Sequence, residues 1–409
     1  MEFQYCKLRD VLSSIYSGGT PSTSVKEYWD GSYKWLSSGE TGQRFISNTL
    51  NTITERGIKE SSTKLAKRGS IVMACAGQGK TRGQTSFLLD DMYVNQSVIV
   101  LNPDTNKVFP LYLFYDLSRR YEELRGGSDA SSTRGSITTT SLKTISFQYP
   151  SIEKQKKIAN ILYLYDQLIE VNSKRVKVLE QMAENLYKEW FVRFRFPGHE
   201  SVPFEYGLPQ GWEFNRIGEL FSTSSGGTPS RQNAEYYEDG KYMWVKTGEL
   251  LDRFIIDTEE KITEDALKNS AAKIIPPYSL LCSMYAGVGK LGINAEPITC
   301  SQATCVFRPK AFLSLSYLFF WLKLNRAYLE NISFGAAQQN ISQDIIKKIK
   351  IMVPTDSVTR RFDNMINPVF QQILFLQRQI KKLTQMRDLL LPRLMSGRME
   401  VNLEEQVNE

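Results

Sequence analysis

The sequence predicts a mixed α/β (α+β) protein: two tandem-repeated globular blocks separated by a pair of long, antiparallel, coiled-coil-like helices with pseudo-two-fold symmetry. Three observations predict it. Residues 151–196 form a long charged stretch with helical periodicity, a C-terminal stretch at 355–397 restates it, and the blocks ahead of each restate one another motif by motif. In the first stretch apolar residues recur at Ile158, Ile161, Tyr165, Leu168, Leu179, Met182 and Leu186, interrupted at Asn172 and Arg175. Pro150 precedes it and Pro197-Gly198 follows, as start and stop signals. A helix of about 36 residues is roughly 54 Å long and needs an apolar partner for its stripe. A shift of 204 positions supplies one, carrying the stripe onto Phe362, Met365, Val369, Leu383, Met386 and Leu390. Two such helices read as one pair packed along a seam, with Asn172 and Arg175 setting register or meeting a further protein. Two unrelated amphipathic helices are the plain alternative, and the wider repeat argues against it.

Taken in order, residues 1–150 make the first block. Residues 17–22 (Ser-Gly-Gly-Thr-Pro-Ser) form a turn-rich loop, 69–74 a buried strand leading into a glycine-rich loop at 76–83, and 97–101 another strand. A helix is expected over 111–124, a polar loop over 126–141 and a last strand over 145–149. The helix at 151–196 follows, then a linker at 197–211 dense in Pro and Gly. The second block, 212–354, repeats the first: Ser225-Gly226-Gly227-Thr228-Pro229-Ser230 restates 17–22, and Trp244-x-x-x-Gly248-Glu249 restates Trp35-x-x-x-Gly39-Glu40. Ala286-Gly287-Val288-Gly289-Lys290 restates 76–80, Gln302 answers Gln96, and Asn340-Ile341-Ser342 answers Ser136-Ile137-Thr138. This is a tandem duplication of about 200 residues, each copy a block plus a helix. The second helix spans 355–397, and 398–409 is a tail.

The length suits two or three domains, and 41% hydrophobic with 23% charged residues is an ordinary folded composition. A net charge of +7 is a mild pointer to polyanions. Five scattered cysteines without a CxxC pair, no secretory leader and no membrane-spanning run place the chain in a reducing cytoplasm. A single histidine, His199, argues against His-ligated metals and His-based acid–base chemistry.

The candidate enzyme motifs are weak. Gly79-Lys80-Thr81 imitates the end of a phosphate-binding loop, but Ala74 stands where the first glycine belongs, and the repeat copy ends in Leu291. A glycine-rich turn with lysine at its tip fits better, and it presents amides and a cation to a DNA phosphate equally well. Asn102-Pro103-Asp104-Thr105 reads as a turn. Glu40 and Glu249, one per block, suit a capping or base-edge acceptor role rather than a hydrolytic pair. Duplicated blocks with different polar loops instead suit the reading of two short DNA segments. Candidate DNA contacts are Lys34, Arg44, Gln78, Lys80, Arg82, Gln84 and Arg134 in the first block. In the second they are Lys246, Arg253, Lys290, Gln338, Gln339 and Asn340. For any one of them a solvated surface role is the plain alternative. Two other functions stay open: a helical scaffold joining two proteins without sequence-specific DNA binding, and an enzyme with a composite site between blocks.

These motifs, with Trp190-Phe191-Val192-Arg193-Phe194 and the string Leu383-Thr384-Gln385-Met386-Arg387-Asp388-Leu389-Leu390-Leu391-Pro392-Arg393-Leu394-Met395-Ser396-Gly397, resemble the specificity subunit of type I restriction–modification systems over nearly the whole chain. The resemblance implies two target recognition domains, each reading half of a split, asymmetric sequence on double-stranded DNA. It implies that the helices act as spacer and as docking surface for two methylation subunits. Restriction–motor subunits would join through these. S-adenosylmethionine, ATP and Mg would be bound by those partners, with no cofactor or metal in this chain and no catalysis by it. The assembled complex would be an adenine methyltransferase and ATP-dependent endonuclease. The helix length suggests half-sites about one helical turn apart, roughly 34 Å or a small multiple.

Overall fold

The computed structural model describes residues 2–77, 79–129, 135–310, 313–333 and 340–401. The chain divides into two compact units, Met1–Leu168 with Leu383–Glu409, and Ile169–Lys382. The long helices, Ile152–Tyr187 and Asp356–Met395, contribute to both.

In the first unit a five-stranded sheet runs in the order Leu12–Ser17, Val98–Pro103, Ile71–Ala74, Thr85–Leu88, Phe45–Ile46. Its pairs are antiparallel except the last, which is parallel. Ile71–Ala74 is buried throughout, which explains its unbroken apolar run. A four-stranded sheet, ordered Asn51–Ile53, Trp29–Leu36, Met92–Val94, Lys64–Ala66, lies in the same block. The helix expected over 111–124 forms as two, Pro110–Arg119 and Tyr121–Asp129, because the backbone leaves helical geometry at Arg120. Gln4–Lys7 pairs with Ser146–Tyr149, tying the start of the block to the strand that leads into the central helix. The core gathers Ile71, Met73, Ile99, Leu113 and Phe114 from the block with Ile158, Leu162, Leu391 and Leu394 from the helices.

The second unit repeats the plan. Its sheet runs Phe221–Ser225, Thr304–Pro309, Leu280–Ser283, Leu291–Asn294, Arg253–Ile255, again with only the last pair parallel. Glu213–Arg216 pairs with Lys350–Val353, as its counterpart does in the first unit. The central helix ends in one π-helical turn, Lys188–Val192, which turns Trp190 and Phe191 into an aromatic core. Phe191 lies 4.8 Å from Tyr317 and 4.9 Å from Phe362, ring to ring. The stretch 197–211 is a small hairpin, Phe204–Glu205 against Leu208–Pro209, turning through Tyr206 and Gly207 at positive φ.

The helices pair antiparallel within each unit. Asp166 meets Arg387 in the first, and Asn172 donates to Gln379 at 3.3 Å and Tyr187 packs on Phe362 in the second. The seam departs from the expected register. Of the predicted seam residues, Ile158 and Phe362 are buried, and Ile161, Tyr165, Leu179, Leu186, Val369, Leu383 and Leu390 are partly so. Leu168, Met182, Met365 and Met386 face out instead, each at least 41% exposed. The inward line runs through Leu162, Asp166, Asn172, Val176, Ala183 and Tyr187 on one helix. On the other it runs through Thr359, Ile366, Ile373, Leu376, Arg387 and Leu394. Arg175 is exposed, off the seam. Among the described residues no helix is long and apolar enough to cross a membrane.

Candidate nucleic-acid interface

Strand direction decides where the repeated motifs meet. In the first unit Leu12–Ser17 and Ile71–Ala74 end at the edge of the sheet where Val98–Pro103 and Thr85–Leu88 begin, with Ser17 opposite Ile99, Ala74 opposite Val98 and Met73 opposite Thr85. The Gly-Gly-Thr-Pro loop, the loop at 75–84 and Asn95–Ser97 therefore form one rim. Backbone bonds tie them together: Gly19 N to Val94 O at 3.1 Å, Cys75 N to Ser97 O at 2.9 Å, and Ile137 N to Cys75 O at 2.9 Å. The second unit builds the same rim, with Gly227 N to Cys300 O at 3.0 Å, Met284 N to Ala303 O at 2.8 Å, and Ile341 N to Met284 O at 3.0 Å. Motifs far apart in the chain thus converge at one sheet edge in both blocks.

The glycines explain the loops. A Cβ on Gly18 would fall 1.9 Å from Val94 O, and one on Gly226 1.9 Å from Cys300 O, so only glycine lets these loops press against the neighbouring strand. The indoles hold the same loops, with Trp35 Nε1 donating to Gly19 O at 3.4 Å and Trp244 Nε1 to Gly227 O at 3.0 Å. Gly77, Gly79, Gly287 and Gly289 all have positive φ, which accounts for the second repeated motif as a turn. Above it Thr20 Oγ1 donates to Gln96 Oε1, and Thr228 Oγ1 to Gln302 Oε1. Glu40 and Glu249 cap. Glu40 accepts from Ser37 N at 3.1 Å and Leu50 N at 2.8 Å, Glu249 from Lys246 N and Glu259 N at 2.8 Å each.

The rim brings together some of the predicted contacts. Lys80 is exposed at the tip of its turn, where Tyr121 donates to its carbonyl at 2.8 Å. Gln84 sits at the neck of that loop, partly exposed. Arg82 is buried and donates to Gly135 O at 2.5 Å, bracing the rim from within. Lys290 lies over Gly287, and Asn340 bridges to Tyr285. The remaining predicted cations are held differently. Lys34 donates to Asp90 at 2.5 Å and Ser47 O at 2.7 Å, while Lys246 donates to Glu259 and Glu260 at 3.0 Å each. Arg44 pairs with Asp166 at 3.1 Å over the Phe114 and Tyr115 rings, and Arg253 opens the corresponding strand of the second unit, exposed. Gln78, Arg134, Gln338 and Gln339 lie outside the described residues. Asn102 is at the opposite sheet edge, donating to Ser14 Oγ at 2.7 Å, which accounts for its motif as structural. The Thr–Gln pairs are not among the predicted contacts, although the repeat of both residues was the signal for them.

Little at the rim favours bond-making chemistry. Burial pushes the Cys75 thiol of the first unit up and that of Cys282 in the second unit up to about 12, so neither is an available thiolate at neutral pH. Among the described residues no group of three or more His, Cys, Asp or Glu is placed to hold a metal.

The profile of the type I restriction modification DNA specificity domain matches residues 1–181 and 209–385, and the chain belongs to that family. It is 28% identical over 412 residues to the type I restriction enzyme MjaIX specificity subunit of Methanocaldococcus jannaschii, across 97% of this chain and 93% of that one. It is 25% identical over 457 residues to the HindI specificity subunit of Haemophilus influenzae, across 93% and 98%. The crystal structure of the type I restriction–modification S subunit from M. genitalium shares the fold, with a TM-score of 0.64 at 15% identity over 96% of each chain.

Proposed function

We propose that this chain sets the DNA sequence specificity of a type I restriction–modification complex, each rim reading one half of a bipartite, asymmetric duplex target. The observation that carries this reading is the convergence of the Gly-Gly-Thr-Pro, Ala-Gly-x-Gly-Lys and Gln96/Gln302 repeats on one sheet edge in each block. Around that shared frame the loops differ. Between the motif lysine and the returning strand the first block inserts Thr81–Gln84, whereas in the second Leu291 follows Lys290 directly. Shared parts then hold the duplex and unshared parts discriminate bases. Lys80 and Lys290 serve as phosphate contacts, and Gln84 and Asn340 as side chains within reach of base edges.

The outward apolar positions of the long helices serve as docking surface for two methylation subunits, through which restriction subunits join. S-adenosylmethionine, ATP and Mg belong to those partners. This chain carries no catalytic group of its own and works in the cytoplasm. Lysine variants test the reading. Lys80→Ala and Lys290→Ala should each weaken duplex binding to a similar degree for all sequences and lower the salt slope by about 1. Wild-type affinity and slope in both variants would remove the rim from the DNA interface.

A further inference from the structure

The Thr–Gln pairs stand out because packing does not account for them. Gln96 and Gln302 are exposed, Thr20 and Thr228 are at least partly so, and their hydrogen bond lies on the solvent side of the rim. The residues beneath have a structural reason: Gly18, Gly19, Gly226 and Gly227 leave no room for a Cβ, and Trp35 and Trp244 hold the loop carbonyls. The pair itself is identical in the two blocks, although the adjoining loop differs in length. In each, the threonine hydroxyl donates to the glutamine carbonyl oxygen, and among the described residues the amide nitrogen of that exposed glutamine makes no hydrogen bond of its own. The loop bearing the threonine is fixed against the neighbouring strand, so the amide is held before any ligand arrives.

Two blocks that read different half-sites gain nothing from identical base readers, whereas the phosphodiester backbone is the same in both. We propose that Thr20–Gln96 and Thr228–Gln302 are backbone clamps, in which the oriented glutamine amide donates to a DNA phosphate oxygen and sets each rim on the duplex without reading sequence. The clamp rests on the DNA-binding reading above and adds to it a division of labour within each rim.

The test uses the full-length chain and its Gln96→Ala, Gln302→Ala and Thr20→Val variants. Affinities are measured for the target selected by the wild type, for every single-base substitution of that target, and for a scrambled duplex, across a salt series. Each glutamine variant should bind cognate and scrambled duplex about tenfold more weakly, the scale of one hydrogen bond to a charged group. Base preferences should stay as in the wild type, and so should the salt slope, because no cation is removed. Thr20→Val, which keeps shape and frees the amide to rotate, should move the same way by less. A loss confined to one base position in the half-site read by that block would make the glutamine a base reader and overturn the clamp. Wild-type affinity in both glutamine variants would reduce the pair to loop structure. A wild-type chain that selects no target would remove the DNA-binding reading, and the clamp with it.

Discussion

At the scale of single residues, the sharpest difference between the two copies is a buried charge cluster present in one alone. In the first unit Asp166 accepts from Arg44 at 3.1 Å, Arg387 at 2.5 Å and the Tyr115 hydroxyl at 2.7 Å. Burial and the neighbouring carboxylate push the Tyr115 phenol up. Burial pulls the Arg387 guanidinium down, but Asp166 together with Asp388 outweighs it and holds the group above its ordinary value. In the second unit the repeat puts Phe370, Ala183 and Phe320 at the positions of Asp166, Arg387 and Tyr115, and Phe320 and Phe370 pack at 5.9 Å. Asp166→Ala should cost about 3 kcal/mol by denaturant unfolding, because Arg44 and Arg387 lose the buried carboxylate they share and Arg387 keeps only its bonds to the exposed Asp388. The double variant Asp166→Phe with Arg387→Ala, which copies the second unit at two of these three positions, should be less damaged than the single one. Equal losses would mean that the pair is not what holds the site. None of this is legible in the sequence, where Arg44 looks like any loop cation and Asp166 like a solvated helix residue. Glu40 was half legible. Its repeat at Glu249 marked it, and capping was one of two readings, but only the bonds to Ser37 and Leu50 show which it is.

At the scale of elements, the existence, length and pairing of the long helices were legible because about ten turns of periodic apolar residues leave few alternatives. The register was not. Asp166, Gln377 and Arg387 are buried on the seam beside Asn172, the polar residue expected there, while Leu164 and Leu168 are exposed on the first unit's part of the central helix. Val171, Val178 and Met182 are exposed on the second unit's part. A wide apolar face served by polar seam residues gives a stripe readable one position either side of the true one. The outward residues make a prediction that separates docking from folding. Leu168→Glu should leave the unfolding transition near that of the wild type and abolish co-elution with the methylation subunit on size exclusion. Leu162→Glu, buried in the first core, should unfold that unit outright. Similar transitions for the two would contradict the observed seam. The candidate site was legible in its parts, as the repeated Gly-Gly-Thr-Pro and Ala-Gly-x-Gly-Lys motifs, but not in their meeting. That depends on antiparallel strand order, which places three loops on one edge.

At the scale of the whole molecule, the chain is one fold written twice, with a shared framework and loops that differ, to which the proposed function gives opposite tasks. Gly18→Ala and Gly226→Ala should each disable one block, since the added Cβ meets a backbone carbonyl that cannot retreat. A damaged first block should then lose one half of the recognised target and retain the other, checked by selecting duplexes with each variant. The central claim is tested most directly by selecting from a random duplex library with the full-length chain at fixed salt, with and without the methylation subunit. Enrichment of two short, different motifs separated by a fixed gap is the predicted result. Uniform, steeply salt-dependent binding with no enriched motif would contradict it and leave a basic helical scaffold in its place.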